Sequence, residues 1–285
     1  MNRYSHSVVV EHDMDLTERE FEWTQADFQR VKALIYERAG INLHDGKQAM
    51  VYSRLARRLR ETGFQSFQSY LAWLERQDQQ EWQEFVNALT TNLTAFFRER
   101  HHFEVLSQYL RRRQGHGSTR IWCSAASTGE EPYSIAMTAV ETLGSVPHVK
   151  VIASDIDSKV LATATRGVYR VDGLRGLSQE QVRQFFLRGK GANEGLVRIK
   201  PEVRQMIEFV NINLVRDGWP ITELFDAVFC RNVMIYFDFQ TQRQVLERIH
   251  RVMKPGALLF VGHAENFSDA RDIFVLQGKT VYERR

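Results

Sequence analysis

The spacing of apolar positions changes rhythm once along the chain. From Phe21 to about Gln114 they recur at helical intervals. Phe28, Val31, Leu34 and Ile35 follow the three-and-four step, Thr24 stands ahead of them as an N-cap, and Gly40 stops the run. A second helix is predicted over 46–62, with Val51, Tyr52, Leu55 and Leu59 on one side and Lys47, Arg54, Arg57 and Arg58 on another. Helices over 67–77, 80–89 and 99–113 complete an all-helical first part. After Gly117 strands and helices alternate, with strands over 120–125, 149–154, 207–211, 225–230 and 257–262 and helices over 132–143, 158–165 and 239–253. Lys254-Pro255-Gly256 ends the last helix, and a hairpin over 273–277 and 279–283 turns about Gly278.

Repeated strand and helix units predict an α/β fold: a doubly wound, Rossmann-like parallel sheet with helices on both faces and an antiparallel end. The organisation expected is a polar, mobile tail over 1–20, a helical domain over 21–90 and the α/β domain over 91–285. Within the last, 165–205 interrupts the alternation, its glycines at 167, 173, 176, 189, 191 and 195 turning about a short strand over 196–199. The longest apolar stretches, such as Ala257 to Val261, hold five residues, far below the roughly 18 to 20 that cross a bilayer. The start of the chain carries no basic segment followed by an apolar one, so a cytoplasmic protein without membrane insertion is expected. Cys123 and Cys230 read as small hydrophobes.

Charge adds detail. The 38 basic and 35 acidic residues leave +3, too little to mark a nucleic-acid binder. Lys47, Arg54, Arg57, Arg58 and Arg60 nevertheless stand without an acid between 46 and 60, and nine basic residues face four acidic ones over 165–205. Two basic surfaces point to acidic partners.

In a doubly wound sheet, ligands bind beyond the carboxyl ends of the strands, where strand order reverses. The first strand runs into Ser127-Thr128-Gly129-Glu130-Glu131-Pro132-Tyr133, small enough for close backbone approach. Two carboxylates in the first helical turn would repel a pyrophosphate, so a ligand with a cationic end fits better. The second strand ends in Asp155-Ile156-Asp157, where an acid commonly accepts ribose hydroxyls. An adenosine with an amine-bearing tail is S-adenosylmethionine, which favours methyl transfer over nicotinamide chemistry. After the fourth strand comes Cys230-Arg231-Asn232-Val233-Met234-Ile235-Tyr236-Phe237, without the Pro-Pro-aromatic run of amino-methylating nucleic-acid enzymes. His101-His102 and the seven other histidines show no metal spacing such as H-E-x-x-H, so no metal is expected.

Thr90-Thr91-Asn92-Leu93-Thr94-Ala95-Phe96-Phe97-Arg98-Glu99, the 127–134 loop, Ser154-Asp155-Ile156-Asp157 and the 230–237 run, in this order, resemble the CheR-type chemotaxis receptor (protein-glutamate) O-methyltransferases. The resemblance extends from about Phe21 to the end of the chain. It implies S-adenosylmethionine-dependent methyl esterification of glutamates on the cytoplasmic helices of chemoreceptors, at membrane receptor arrays. It also implies that Asn92, Thr94 and Arg98 line the cofactor site, that Glu131 or its neighbour Glu130 meets the methionyl ammonium, and that Asp155 meets the ribose. Asn213-Leu214 and Arg231-Asn232 would close around the cofactor. The basic stripe of Lys47, Arg54, Arg57 and Arg58 would lie along an acidic receptor coiled coil. The 165–205 block resembles the family's small antiparallel β-subdomain, which in some members takes a receptor's C-terminal pentapeptide as an extra strand, and Arg188, Lys190 and Arg198 would meet its acid and carboxylate.

A glutamate has an ordinary pKa near 4.3, so it is already anionic at neutral pH and needs no general base. Arg98, through a two-point fork, and Tyr236, through its hydroxyl, are the expected orienting groups. Two other readings compete: a nucleic-acid methyltransferase that uses the basic helix on phosphates, and a non-catalytic adaptor that binds cofactor and receptor.

Overall fold

A computed structural model describes residues 19–77, 79–144, 148–267 and 270–285. The tail expected over 1–20 therefore lies almost wholly outside the described residues. Helix α1, Gln25–Ala39, opens with a reciprocal capping box between Thr24 and Asp27 and closes at Gly40, whose φ of 69° is the left-handed conformation glycine adopts freely. A Cβ at Gly40 would stand 2.5 Å from Val215 Cγ1, so this position also sets how closely the helical part approaches the α/β part. One 3-10 turn, Asp45–Lys47, precedes α2, Gln48–Thr62. The helices α3, Phe67–Leu74, and α4, Gln79–Leu89, follow. Val31, Ile35, Leu55, Tyr70 and Phe85 are fully buried in the core these four helices share. Helix α5 is His101–Arg113, two residues shorter than predicted at its start, because Glu99 takes a left-handed φ of 59° that no helix continues through.

The α/β part contains β1 Thr119–Cys123, α6 Glu130–Leu143, β2 Val149–Asp155, α7 Ser158–Arg166, β3 Val168–Arg170, α8 Gln179–Phe185, β4 Phe186–Arg188, β5 Leu196–Ile199, α9 Pro201–Arg204, β6 Ile207–Asn211, β7 Phe225–Cys230, α10 Phe239–Arg251, β8 Met253–Val261, β9 Phe274–Gly278 and β10 Val281–Arg284. The main sheet has the order β6-β2-β1-β7-β8-β10-β9, its first five strands parallel and β10 antiparallel to both neighbours. Side chains alternate faces with period two. Ile121, Cys123, Ala227, Phe229, Leu258 and Phe260 pack with α5 and α6, whereas Trp122, Val228, Cys230, Leu259 and Val261 pack with α10. Lys254, Pro255 and Gly256 do not precede β8 as predicted but lie within it, where its register with β7 shifts; such an irregularity in the ladder is where proline is tolerated.

The predicted insertion is a separate antiparallel sheet of order β3-β5-β4. Strand order reverses between β1 and β7, and the loops after these two strands part there to open a crevice. No helix of the described residues is long and apolar enough to cross a membrane.

Candidate active site

A cavity of about 290 Å³ lies at the carboxyl ends of β1, β2, β6 and β7. Ser127 and Glu131 reach it from the β1–α6 segment, Asp155 from the end of β2, Asn213 and Leu214 from beyond β6, and Arg231, Asn232 and Tyr236 from beyond β7. The 90–98 linker adds Asn92, Thr94 and Arg98. A further part of the wall comes from the segment between α1 and α2, including Asn42, His44 and Lys47. Hydrogen bonds fix that loop against the α/β part: Asn42 N donates to Tyr236 O at 2.8 Å and Asn213 Nδ2 to Arg38 O at 2.7 Å.

Of the two adjacent glutamates, only Glu131 lines the cavity. Its Oε2 accepts from Arg231 Nη1 at 2.5 Å and its Oε1 from the Cys123 thiol at 3.3 Å. Glu130, offered by the sequence as an equal alternative, is turned instead onto the Thr128 hydroxyl, which donates to it at 2.6 Å. One helical residue is a 100° step, and here it turns the two carboxylates onto different partners. Burial pushes the Glu131 carboxyl above the usual range, with Arg231 opposing it. Gly129 makes the turn possible: its φ is 103°, and a Cβ would lie 2.8 Å from the Tyr169 hydroxyl.

Arg231 is 4% exposed and also donates to Arg98 O at 2.6 Å, with Glu99 Oε2 at 3.3 Å. Thus a single buried guanidinium ties the linker to α6. Asp155 is 8% exposed, and its two oxygens accept from Ser127 N at 2.8 Å and Asp157 N at 3.0 Å. Burial is the larger influence and pushes its pKa up to about 6.

Two carboxylates that spacing alone did not single out hold the site in shape. Asp157 caps α7 and also accepts from Thr90 Oγ1 at 2.7 Å and Asn92 Nδ2 at 2.8 Å, so the amide nitrogen of Asn92 is committed to anchoring the linker. Glu265, 4% exposed, accepts from Gly262 N at 2.6 Å and from Asn232 N and Met234 N at 2.9 Å each. It fixes the turn in which Asn232 adopts a left-handed φ of 57°.

The basic stripe of α2 is not a free surface. Arg54 donates to Thr90 O at 2.6 Å, Arg57 pairs with Glu61 at 3.0 Å, and Arg58 pairs with Glu81 and Glu61 at 2.6 Å each. Arg54 and Arg58, expected to face a partner, are partly buried and already hold these internal partners. Arg57 keeps a side chain 77% exposed, and Lys47 enters the cavity wall with no carboxylate partner among the described residues. Arg188, Lys190 and Arg198 are exposed on the small sheet, away from the cavity. Arg188 ends the edge strand β4, and Arg198 lies on the central strand β5 between Val168 and Leu187.

A family model described as "CheR methyltransferase, SAM binding domain" matches residues 92–282, and one described as "CheR methyltransferase, all-alpha domain" matches residues 26–90. The chain is 51% identical over 271 residues to the chemotaxis protein methyltransferase of Escherichia coli (strain K12), covering 94% of each. It is 52% identical over 261 residues to that of Salmonella typhimurium, covering 91% of this chain and 90% of the relative. Chemotaxis protein methyltransferase 2 of Pseudomonas aeruginosa is 51% identical over 266 residues, with 93% and 95% covered.

Proposed function

The chain belongs to the CheR methyltransferase family, and on that premise we propose that it esterifies glutamate side chains on the cytoplasmic helices of chemoreceptors, thereby setting sensory adaptation. The observation that carries this reading is one cavity walled by both parts of the chain, with buried carboxylates at its floor and an arginine and a tyrosine among the residues that close it.

The donor set suits S-adenosylmethionine. Two buried carboxyls, Glu131 and Asp155, line a cavity at the point where strand order reverses, and burial holds both above the usual range. Such groups favour a ligand that brings a positive charge and hydroxyl donors. We assign Glu131 to the methionyl ammonium and Asp155 to the ribose. Asn92, Thr94, Asn213, Leu214, Arg231 and Asn232 shape the remaining walls. When bound, the cofactor supplies an electrophilic methyl group on a sulfonium.

The protein's own work is then alignment. An incoming glutamate is already the nucleophile at neutral pH, so no proton has to be removed from it. Arg98 has one guanidinium nitrogen on Leu93 O at 3.0 Å, which steadies it while other N–H groups remain for a carboxylate. The Tyr236 hydroxyl is the second orienting donor, its backbone anchored by Asn42. A carboxylate attacking the methyl carbon would form the ester C–O bond as the S–CH3 bond breaks and the neutral thioether leaves, so charge would disperse in the transition state, and the residues' part is positioning and exclusion of water.

Around this centre we read a helical domain over 21–90 and a catalytic domain over 91–285 carrying the small sheet of 165–205 as an insertion. Lys47 and exposed Arg57 are the basic contacts left for an acidic receptor helix. The β4 edge, with Arg188, Lys190 and Arg198 nearby, suits an added strand from a receptor's acidic C-terminal pentapeptide. The enzyme works in the cytoplasm at receptor arrays.

The test is transfer of labelled methyl from S-adenosylmethionine to receptor-bearing membranes, followed by alkaline treatment. Label released as methanol is the expected result, since glutamyl esters hydrolyse in base. Label that survives alkali, or appears on nucleic acid instead, would overturn the reading.

A further inference from the structure

Beside the cavity, at the start of α5, two imidazoles and a carboxylate converge. One ligating atom from each of Glu99, His101 and His102 can be chosen so that all three lie within 4.8 Å of one another. His102 is fully buried, yet its Nδ1 has no hydrogen-bond partner, and neither has Glu99 Oε2. These two atoms face each other at 3.6 Å.

His101 Nε2 lies 3.2 Å from the carbonyl oxygen of Lys279, which can only accept, so that nitrogen carries the proton and Nδ1 is left a lone pair. The Thr280 hydroxyl stands 2.5 Å from Lys279 O and 2.9 Å from His102 Nε2 and can donate to either. With its proton on Lys279 O, His102 takes the same tautomer as His101, and its Nδ1 lone pair faces the Glu99 carboxylate, an arrangement that a bound cation favours. Arg231 offers only partial relief, at 3.3 Å from Glu99 Oε2, and serves Glu131 as well. Two buried carboxylates share that one guanidinium.

We propose that Glu99, His101 and His102 form a site for a single divalent transition ion of the zinc class, whose binding draws the Glu99 carboxylate away from Arg231. Ligands about 2.0 to 2.2 Å from a tetrahedral ion stand about 3.4 Å apart; His102 Nδ1 and Glu99 Oε2 are 3.6 Å apart, and the trio, held within 4.8 Å, closes the rest of the way by side-chain rotation on binding. Two imidazoles and one carboxylate suit zinc, cobalt or nickel rather than magnesium or calcium. Each ring also places its Nε2 within hydrogen-bonding distance of an oxygen on the β9–β10 turn, the outer-shell arrangement that fixes a metal-binding histidine. Glu99, Lys279 and Thr280, which supply a ligand and both outer contacts, all have positive φ, at 59°, 27° and 64°. The sequence spacing concealed the site because adjacent histidines match no helical ligand motif. Methyl transfer needs no metal, so the ion's effect is on the cavity, through Arg231.

The test uses the full chain, stripped with a chelator and titrated with Co²⁺, whose visible absorption reports its coordination. One saturable equivalent, displaced by Zn²⁺, is expected, with affinity about tenfold weaker or more in His101→Ala. His101 is partly exposed, and His101→Gln, which keeps a donor for Lys279 O, serves as the second variant should the first fail to fold. Unchanged Co²⁺ titration in a folded variant, or no saturable equivalent in the parent, would overturn the site. A second arm, resting on the cofactor reading above, measures S-adenosylmethionine affinity with and without Co²⁺ at a concentration that fills the parent site and leaves the variant site largely empty. A severalfold loss in the parent and none in the variant is expected; equal loss in both refutes the link through Arg231. Absence of cofactor binding altogether would sink the cofactor reading and leave the Co²⁺ titration to decide the site.

Discussion

Replacing Glu265 by Gln changes one oxygen for an NH₂ group and leaves the volume alone, which makes it a clean probe of the turn beneath the cavity. Oε2 now receives two amides, from Asn232 and Gly262, and Oε1 receives a third, from Met234. A glutamine can keep its carbonyl on the first pair, but its NH₂ then meets the Met234 N–H donor to donor. One charge-assisted bond, worth about 1.5 to 3 kcal/mol, is lost outright, and the other two fall to neutral strength. Relief from burying a charge works the other way, since burial holds the Glu265 carboxyl above the usual range. The net destabilisation is about 2 to 4 kcal/mol, a midpoint drop of about 3 to 7 °C for a chain of this size. Because the freed turn carries Arg231 and Asn232 into the cavity wall, S-adenosylmethionine affinity falls as well. Thermal melting and isothermal titration of the same preparation measure both. A variant melting within about 1 °C of the parent, with unchanged cofactor affinity, would refute the role given to the three amides.

Glu131→Gln leaves Arg231 in a buried site short of a carboxylate, so a loss of about 3 kcal/mol in stability and of tenfold or more in cofactor affinity is expected, whereas Glu130→Gln should change affinity by less than about threefold. Equal effects in the two variants, by calorimetry, would reverse the assignment. Asp155 is raised from 3.8 to about 6, so the folded, cofactor-free protein retains between those values a proton that the unfolded chain has lost. Its contribution to stability accordingly falls as pH rises through that window. Cofactor hydroxyls favour the ionised carboxylate, so affinity should rise between pH 5 and 7 with proton release on binding, and Asp155→Asn should abolish that slope. Tyr236→Phe should lower turnover about tenfold at saturating cofactor while leaving cofactor affinity intact. Unchanged turnover would remove the hydroxyl from the reaction.

Legibility followed the range of the forces involved. Strands β6 and β7 begin and end where predicted, because their alternation and flanking turns are local properties. The start of α5 was misread because Glu99 adopts a left-handed φ of 59°, within hydrogen-bonding reach of His263 N at 3.4 Å, and a partner so distant in sequence leaves no local trace. The resemblance pointed to many of the cavity residues, yet spacing could not separate Glu130 from Glu131, since that choice depends on Arg231, a hundred residues on. The α2 stripe illustrates a different failure. Glu61, at i+4 from Arg57 and i+3 from Arg58, was legible as a partner, whereas Glu81 was not. Nothing in the aperiodic loop after α1 announces that Asn42 and His44 join the wall, and Lys47, expected on a receptor-facing stripe, lines the cavity as well.

That loop changes what the helical part does. A domain that merely docked a receptor could hang from a flexible linker, but here its loop supplies cavity wall and its backbone anchors Tyr236 through Asn42. The 90–98 linker is held just as firmly. Thr90 and Asn92 are bonded to Asp157, Phe96 stacks edge-on against Tyr169 and Phe186 at 5.1 and 5.7 Å, and the Arg98 carbonyl accepts from Arg231. Tyr169, in turn, belongs to the small sheet and donates to Thr128 O at 2.8 Å, in the loop that presents Glu131. Helical domain, inserted sheet and the β1–α6 loop at the cavity therefore meet in one network of packed rings and buried hydrogen bonds. A receptor segment bound to either outer part would act on a site whose walls those parts already form, and the division of labour between recognition and chemistry is one of distance rather than of separate bodies.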